Sequence, residues 1–341
     1  MKENKAYNFK SLSHFFSYVS DQFISPEKPL NIFILLPEKR VSVSTISEIA
    51  KRKKIYFDII EEGRDICTLE IGVRTKQIEG YLIILDKFWL LTTFTEASRS
   101  RQSLNSVLRR LSPLISLGYL PSSILLDFVY SIRKKYDRIT LHESFLRTEY
   151  QTARRWRKKY KDFDGELLSK MKAEQGKWVA ITFKAYFKDF MKFHVRVYED
   201  GQMTFYSGDF QDFYSSALLP YAVYCRKINN NLSDRQREIK NNKVILHPIT
   251  FRLTKSLDKS DLCALSDRML TQYSGGVFSS GNPMLIMTII DNNDGSAFDI
   301  YARDKRIDVV PLTKASSSSL SDLCRIITDF LPDISFETQM E

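Results

Sequence analysis

Five apolar residues open the pattern. Phe9, Leu12, Phe16, Val19 and Phe23 fall three, four, three and four residues apart, the repeat of one face of an α-helix. Pro26 and Pro29 close that stretch. The apolar run 31–36, stopped by Pro37, predicts a strand. Residues 42–54 then predict a short helix with Ile46, Ile49 and Ala50 inward. Its last turn is basic, which suits the negative end of a helix dipole. Strands are expected at 55–60, 66–73, 81–85 and 88–94, the last two joined across Asp86-Lys87. Thr95 and Ser98 offer caps to a helix over 99–111, with Leu104, Val107, Leu108 and Leu111 on its inner face. A second helix is expected over 122–136, after the turn at 118–121, and then a short strand at 138–141.

The middle of the chain predicts one long helix over 148–172. Ala153, Trp156, Tyr160, Phe163, Leu167 and Met171 repeat at three and four residues and form its packing stripe. Gly165, beside Asp162 and Asp164, is where it would instead divide into two shorter helices. Beyond it, strands are expected at 178–187, 192–198 and 203–206, with Glu199-Asp200-Gly201 as a hairpin turn. A short helix over 215–224 and a polar, asparagine-rich loop over 229–243 follow. The remainder reads as a strand at 244–253 and a helix at 259–272 ended by Ser274-Gly275-Gly276. A hairpin of 284–290 and 297–302, a strand at 306–310 and a helix at 319–330 complete it.

One pattern recurs. Asp86-Lys87, a strand, Thr95-Glu96-Ala97-Ser98 and a helix reappear 218 residues later as Asp304-Lys305, a strand, Thr313-Lys314-Ala315-Ser316 and a helix. The fold class expected is α+β, with two strand-rich halves of hairpin-then-helix units, an internal duplication, and a basic helical segment bridging them. The corresponding domains are 1–132, a bridge over 133–176, and 177–341.

Composition changes the picture only through charge. The chain carries 51 basic and 41 acidic residues, a net +10. Residues 133–161 hold a net +8 and residues 226–259 a net +6, so the rest is net −4. A field focused in this way attracts phosphate polymers. Nucleic acid, DNA or RNA, is therefore the expected partner. Its phosphates would meet Arg133, Lys134, Lys135, Arg138, Arg147, Arg154, Arg155, Arg157, Lys158, Lys159 and Lys161 on the bridge, and Arg235, Arg237, Lys240 and Lys243 beyond it. No apolar run is long enough to span a bilayer, and no apolar segment follows the N-terminal charges as in a signal peptide. The cysteines, Cys67, Cys225, Cys263 and Cys324, are far apart, as expected of free thiols in a cytoplasmic protein.

Catalytic chemistry is not signalled. His14, His142, His194 and His247 have no metal-ligand spacing. Asp291-Asn292-Asn293-Asp294-Gly295 is one residue short of a calcium loop and lacks its distal glutamate, so a hairpin turn is expected there. No cofactor is expected. The function expected is non-catalytic nucleic-acid binding through a basic helix, within a nucleoprotein assembly. Two alternatives are an interaction subunit docking an acidic partner and a metal-dependent nuclease; besides nucleic acid, a protein partner or a second copy of the chain is open.

Overall fold

The computed structural model describes residues 9, 11–22, 29–38, 41–62, 66–73, 76–147, 154–156, 162–174, 176–233, 238–240, 243–245, 247–281, 284–312, 315–331 and 334–336. The fold is α+β. The chain divides into two compact units. One comprises Met1–Phe145, Arg155–Lys172 and Trp178–Arg226; the other comprises Leu146–Arg154, Ala173–Lys177 and Lys227–Glu341.

The first unit begins with helix α1 (Leu12–Gln22) and strand β1 (Leu30–Pro37). Helix α2 (Val43–Arg52), capped by the Ser42 hydroxyl on the Thr45 amide, leads into four strands. These are β2 (Tyr56–Glu62), β3 (Ile66–Val73), β4 (Lys76–Ile84) and β5 (Trp89–Thr93); helix α3 (Ala97–Leu111) and the short β6 (Ile115–Leu117) follow. The next stretch is α4 (Ser122–Ile132), β7 (Arg138–Arg147), β8 (Arg154–Trp156), α5 (Gly165–Ala173), β9 (Lys177–Phe187), β10 (Phe190–Tyr198) and β11 (Gln202–Gly208). Helices α6 (Phe210–Phe213) and α7 (Leu219–Ser233) run on through a π-helical turn at Tyr214–Leu218. These strands make one sheet in the order β2-β3-β4-β5-β1-β11-β10-β9-β7-β8, with β6 also on β1.

β1 organises that sheet because it is apolar on both faces. Phe33 and Leu35 pack with α2 and α3, through Ile46, Ala50, Leu104, Val107 and Leu111. On the opposite face Ile34 neighbours Cys225 of α7, both at the edge of the space beside Gly118. An uninterrupted apolar run is what a strand covered on both sides requires. β1 pairs antiparallel with β5 on one side and with β11 on the other, so the meander β2-β3-β4-β5 and the meander β9-β10-β11 meet at it. Helix α1 lies against Tyr81 and Phe210 through Phe15, with ring centroids 5.6 and 5.9 Å apart.

The second unit holds the small hairpin β12 (Glu238–Lys240) and β13 (Lys243–Ile245), then β14 (Ile249–Leu253) and α8 (Lys259–Leu270). Strands β15 (Ser274–Gly281), β16 (Met284–Ile290), β17 (Ala297–Arg303) and β18 (Arg306–Pro311), helix α9 (Ser317–Phe330) and β19 (Ile334–Phe336) complete it. Its main sheet runs β15-β16-β17-β18-β14-β19.

The duplication is visible as a complete module. The series β1-α2-β2-β3-β4-β5-α3-β6 has the same element order and strand pairing as β14-α8-β15-β16-β17-β18-α9-β19. Register agrees residue by residue. Tyr81↔Thr92, Leu82↔Leu91, Ile83↔Leu90 and Ile84↔Trp89 become, 218 positions on, Asp299↔Val310, Ile300↔Val309, Tyr301↔Asp308 and Ala302↔Ile307. Leu35 lies between Trp89 and Leu117, and Phe251 lies likewise between Ile307 and Phe336. Both first helices end three residues before a buried side chain, Ile55 or Tyr273.

Several expectations need correction. No helix spans 148–172: Arg154–Trp156 is a strand, and the helix starts only at Gly165. Residues 148–153 and 157–161 of that expected helix lie outside the described residues. Phe163, Leu167 and Met171 of the expected stripe do face inward, and Ala153 and Tyr160 lie outside the described residues. The buried face of α1 is Phe15 and Val19, with Phe9 just ahead of it, and not the Leu12–Phe16 stripe; Phe23 is outside the described residues. Glu96, not Thr95 or Ser98, occupies the α3 cap position and makes no side-chain cap, whereas Ser316 does cap α9. The helix over 215–224 extends to Phe210–Ser233 through the π-helical turn. β9, β10 and β11 belong mainly to the first unit, and β11 pairs with β1. Ser274-Gly275-Gly276, expected only to end α8, instead opens the strand β15.

Candidate functional site

The stretch Lys184-Ala185-Tyr186-Phe187-Lys188-Asp189-Phe190-Met191-Lys192 alternates cations with rings. It folds as the β9–β10 hairpin. Lys188 and Asp189 form its two-residue turn, both in the left-handed region at φ 50° and 64°, as a tight hairpin of this hand requires. Phe187 and Phe190 face each other across the turn. They are 41% and 75% exposed, and the adjoining Met191 is exposed as well.

The segment Arg133–Arg138 meets this hairpin. The Lys188 amide donates to Asp137 Oδ2 at 2.6 Å, which pins the turn. The Arg138 guanidinium lies 4.6 Å from the Tyr186 ring centre and 3.6 Å from the Asp189 carboxylate. Tyr136 packs edge-on against Phe193. Lys134 and Lys135 are exposed on the turn that leads into β7. The two exposed phenyl rings therefore share a corner with Arg138 and Lys188, and Lys134 and Lys135 are exposed on the adjoining turn.

A half-buried strip of rings and cations lies on the same meander. Lys184 and His194 are direct cross-strand neighbours, as are Thr182 and Arg196. His194 lies between His142 and Tyr206, with ring centroids 5.3 and 4.7 Å away. Arg196 is held by Thr182 Oγ1 at 2.7 Å and Glu143 Oε2 at 2.8 Å, and sits over the rings of Phe145 and Tyr206. Burial, followed by the nearby Lys184, His142 and Arg196, pushes the His194 imidazole down to about 4. Its Nε2 is buried with no hydrogen-bond partner. Burial also pushes the Tyr206 hydroxyl up to about 12, against the pull of Arg196. Where the two meanders meet, Arg101 lies over Tyr198 and pairs with Asp200 at 3.2 Å. Buried Gln202 and Thr204 both donate to Asn31 Oδ1.

The residues singled out by charge are dispersed. Arg133 is paired with Asp162 at 2.9 Å and donates to the Phe163 carbonyl, which ties α4 to the start of the α5 segment. Arg138 joins the hairpin corner, and Lys134 and Lys135 lie on the adjoining turn. Arg147 pairs instead with Asp329 at 2.7 Å, beside the buried Lys177. Burial alone would raise Asp329, but Lys177 and Arg147 outweigh it and hold the carboxyl low. Arg154 and Arg155 are described in their backbone only, as β8. Lys240 and Lys243 are opposite each other in the β12–β13 hairpin. Arg157, Lys158, Lys159, Lys161, Arg235 and Arg237 lie outside the described residues.

The Asp291–Gly295 segment is the β16–β17 turn, with Gly295 at φ 76°. Asp294 accepts from the Ser296 amide and the hydroxyls of Ser316 and Ser319, and Asp291 from Ser319 and Asn293. Both carboxylates thus serve the start of α9. Among the described residues no three His, Cys, Asp or Glu side chains converge as metal ligands would, and no helix is long and apolar enough to cross a membrane. No protein-family model matches this chain, and no curated protein matches it.

Proposed function

We propose that this protein binds nucleic acid without acting on it chemically, and that the β9–β10 hairpin corner is the point of contact. The observation that carries this reading is the exposed Phe187–Phe190 pair, beside Arg138 and Lys188, with Lys134 and Lys135 exposed on the adjoining turn. An exposed phenyl ring forgoes hydrophobic burial, whereas stacking a base on it recovers about 1–3 kcal/mol. Nearby cations add phosphate contacts that release counterions. Unpaired bases can reach a protruding ring and bases in a duplex cannot, so the ligand class is single-stranded. Tyr186, His142 and Tyr206 continue the rings along the sheet.

Fluorescence anisotropy with labelled single-stranded DNA, single-stranded RNA and duplexes tests it. Single strands are expected to bind more tightly than duplexes. Replacing both Phe187 and Phe190 with Ala should weaken binding by about tenfold or more. The Lys134→Glu, Lys135→Glu pair should flatten the dependence of log Kd on log salt by about 2. A parent protein that binds none of the probes at low salt refutes the proposal. Binding that the Phe187→Ala, Phe190→Ala protein retains in full moves the contact elsewhere, with an acidic protein partner then the better assignment for the corner.

A further inference from the structure

β15 is an edge strand. Among the described residues it pairs with β16 alone, and residues 274–279 are all exposed. Its sequence, SGGVFSSG, contains no charge and no proline. Sheet edges are ordinarily protected by charges, prolines or a covering element, because their open amides and carbonyls invite another strand.

The duplicated module supplies an internal comparison. β2 holds the same place in the first unit, and its sequence, YFDIIEE, carries three acids. Both edges contain one bulge, between Ile59 and Glu61 in β2 and between Val277 and Ser279 in β15. Each bulge leaves an exposed apolar residue, Ile60 at 54% and Phe278 at 74%. The topology therefore does not dictate the lack of charge on β15, since the sister strand in the same position carries it.

We propose that β15 pairs antiparallel with β15 of a second copy of this chain, joining two six-stranded sheets across a two-fold axis. An isologous contact sets a strand against itself. Self-pairing of β15 opposes no like charges, whereas self-pairing of β2 would set acid against acid, which is unfavourable. Close approach is open at Gly276, where an added Cβ would meet nothing within 4 Å. Exposed Val277 and Phe278, with Ile290 on the next strand, supply apolar surface beside the ladder. Pairing β15 with β15 uses that edge on both copies, so the pairing closes at a dimer.

Sedimentation equilibrium of the full chain over a wide concentration range tests this, together with hydrogen exchange read at the β15 amides. The parent is expected to approach twice its 39.8 kDa mass as concentration rises. Exchange at β15 should slow in step. High salt should leave the dimer intact, which separates it from any nucleic-acid-bridged species. Phe278→Lys should return the mass to that of one chain, and Ile60→Lys on β2 should not. Circular dichroism establishes that both variants are folded. Because the exchange measurement uses the parent alone, it decides the question even if Phe278→Lys does not fold. A parent that stays monomeric at every concentration overturns the proposal, including one whose β15 amides are already protected by another segment. So does a dimer in which β15 exchange is independent of concentration.

Discussion

His194 is the residue whose environment departs most from what its neighbours in sequence suggest. In the chain it is one of four isolated histidines; in the fold it is stacked between His142 and Tyr206 and faces Lys184 across the ladder. Its folded value of about 4 lies below the ordinary 6.5. The unfolded chain therefore takes up the proton first as pH falls. Stability contributed by keeping His194 neutral is complete above pH 6.5 and is lost progressively between 6.5 and about 4. Urea unfolding of the parent and of His194→Gln across that window should show a steeper loss in the parent. Equal slopes would mean that His194 is not held neutral by this site.

At the scale of elements, local pattern served well where one face was buried and poorly where charge dominated. The 148–172 stretch carries a helical repeat, yet Arg154–Trp156 is paired as a strand at the edge of the large sheet. Helical spacing of apolar residues is a weak signal when most of the intervening residues are cations, because pairing to a sheet overrides propensity. The β10–β11 turn shows the opposite case. Glu199-Asp200-Gly201 is legible as a hairpin turn, but its second role is not. Gly201 O accepts from the Ile34 amide, so the turn also docks on β1 where the meanders meet. At Gly201, φ is 75° and an added Cβ would lie 2.3 Å from the Gly118 carbonyl oxygen. Gly201→Ala should cost on the order of 1–3 kcal/mol from backbone strain alone, and more from that clash. A fall in the urea midpoint measures it; an unchanged midpoint would show that the junction yields freely.

For the whole molecule, the two compact units have separate apolar centres. Phe33 is buried in one, and Phe251 in the other. Differential scanning calorimetry should resolve two transitions. Phe33→Ala and Phe251→Ala, each costing about 3–5 kcal/mol, should each move a different one. A single transition shifted as a whole by both variants would show one cooperative body instead. The two modules keep the same strand register with few identical residues, because a sheet module is specified by alternation, by the position of a tight turn and by where the helix returns.

The sequence by itself determined the α+β class, most strand and helix positions outside the basic middle, and the repeat that marks the duplication. Those features rest on local periodicity and turn chemistry, which a linear chain carries in full. Tertiary structure alone decided that β11 returns to β1, so that residues 178–226 belong with the N-terminal module. It also brought Arg138 to Tyr186 and the Lys188 turn to Asp137, and made β15 an edge. The Lys184–Lys192 alternation of rings and cations was legible in the chain, but exposure was needed to separate it from an ordinary strand. Pairing partners and solvent access depend on long-range closure of the sheet, and neighbouring residues in the sequence do not encode which distant strand will arrive beside them.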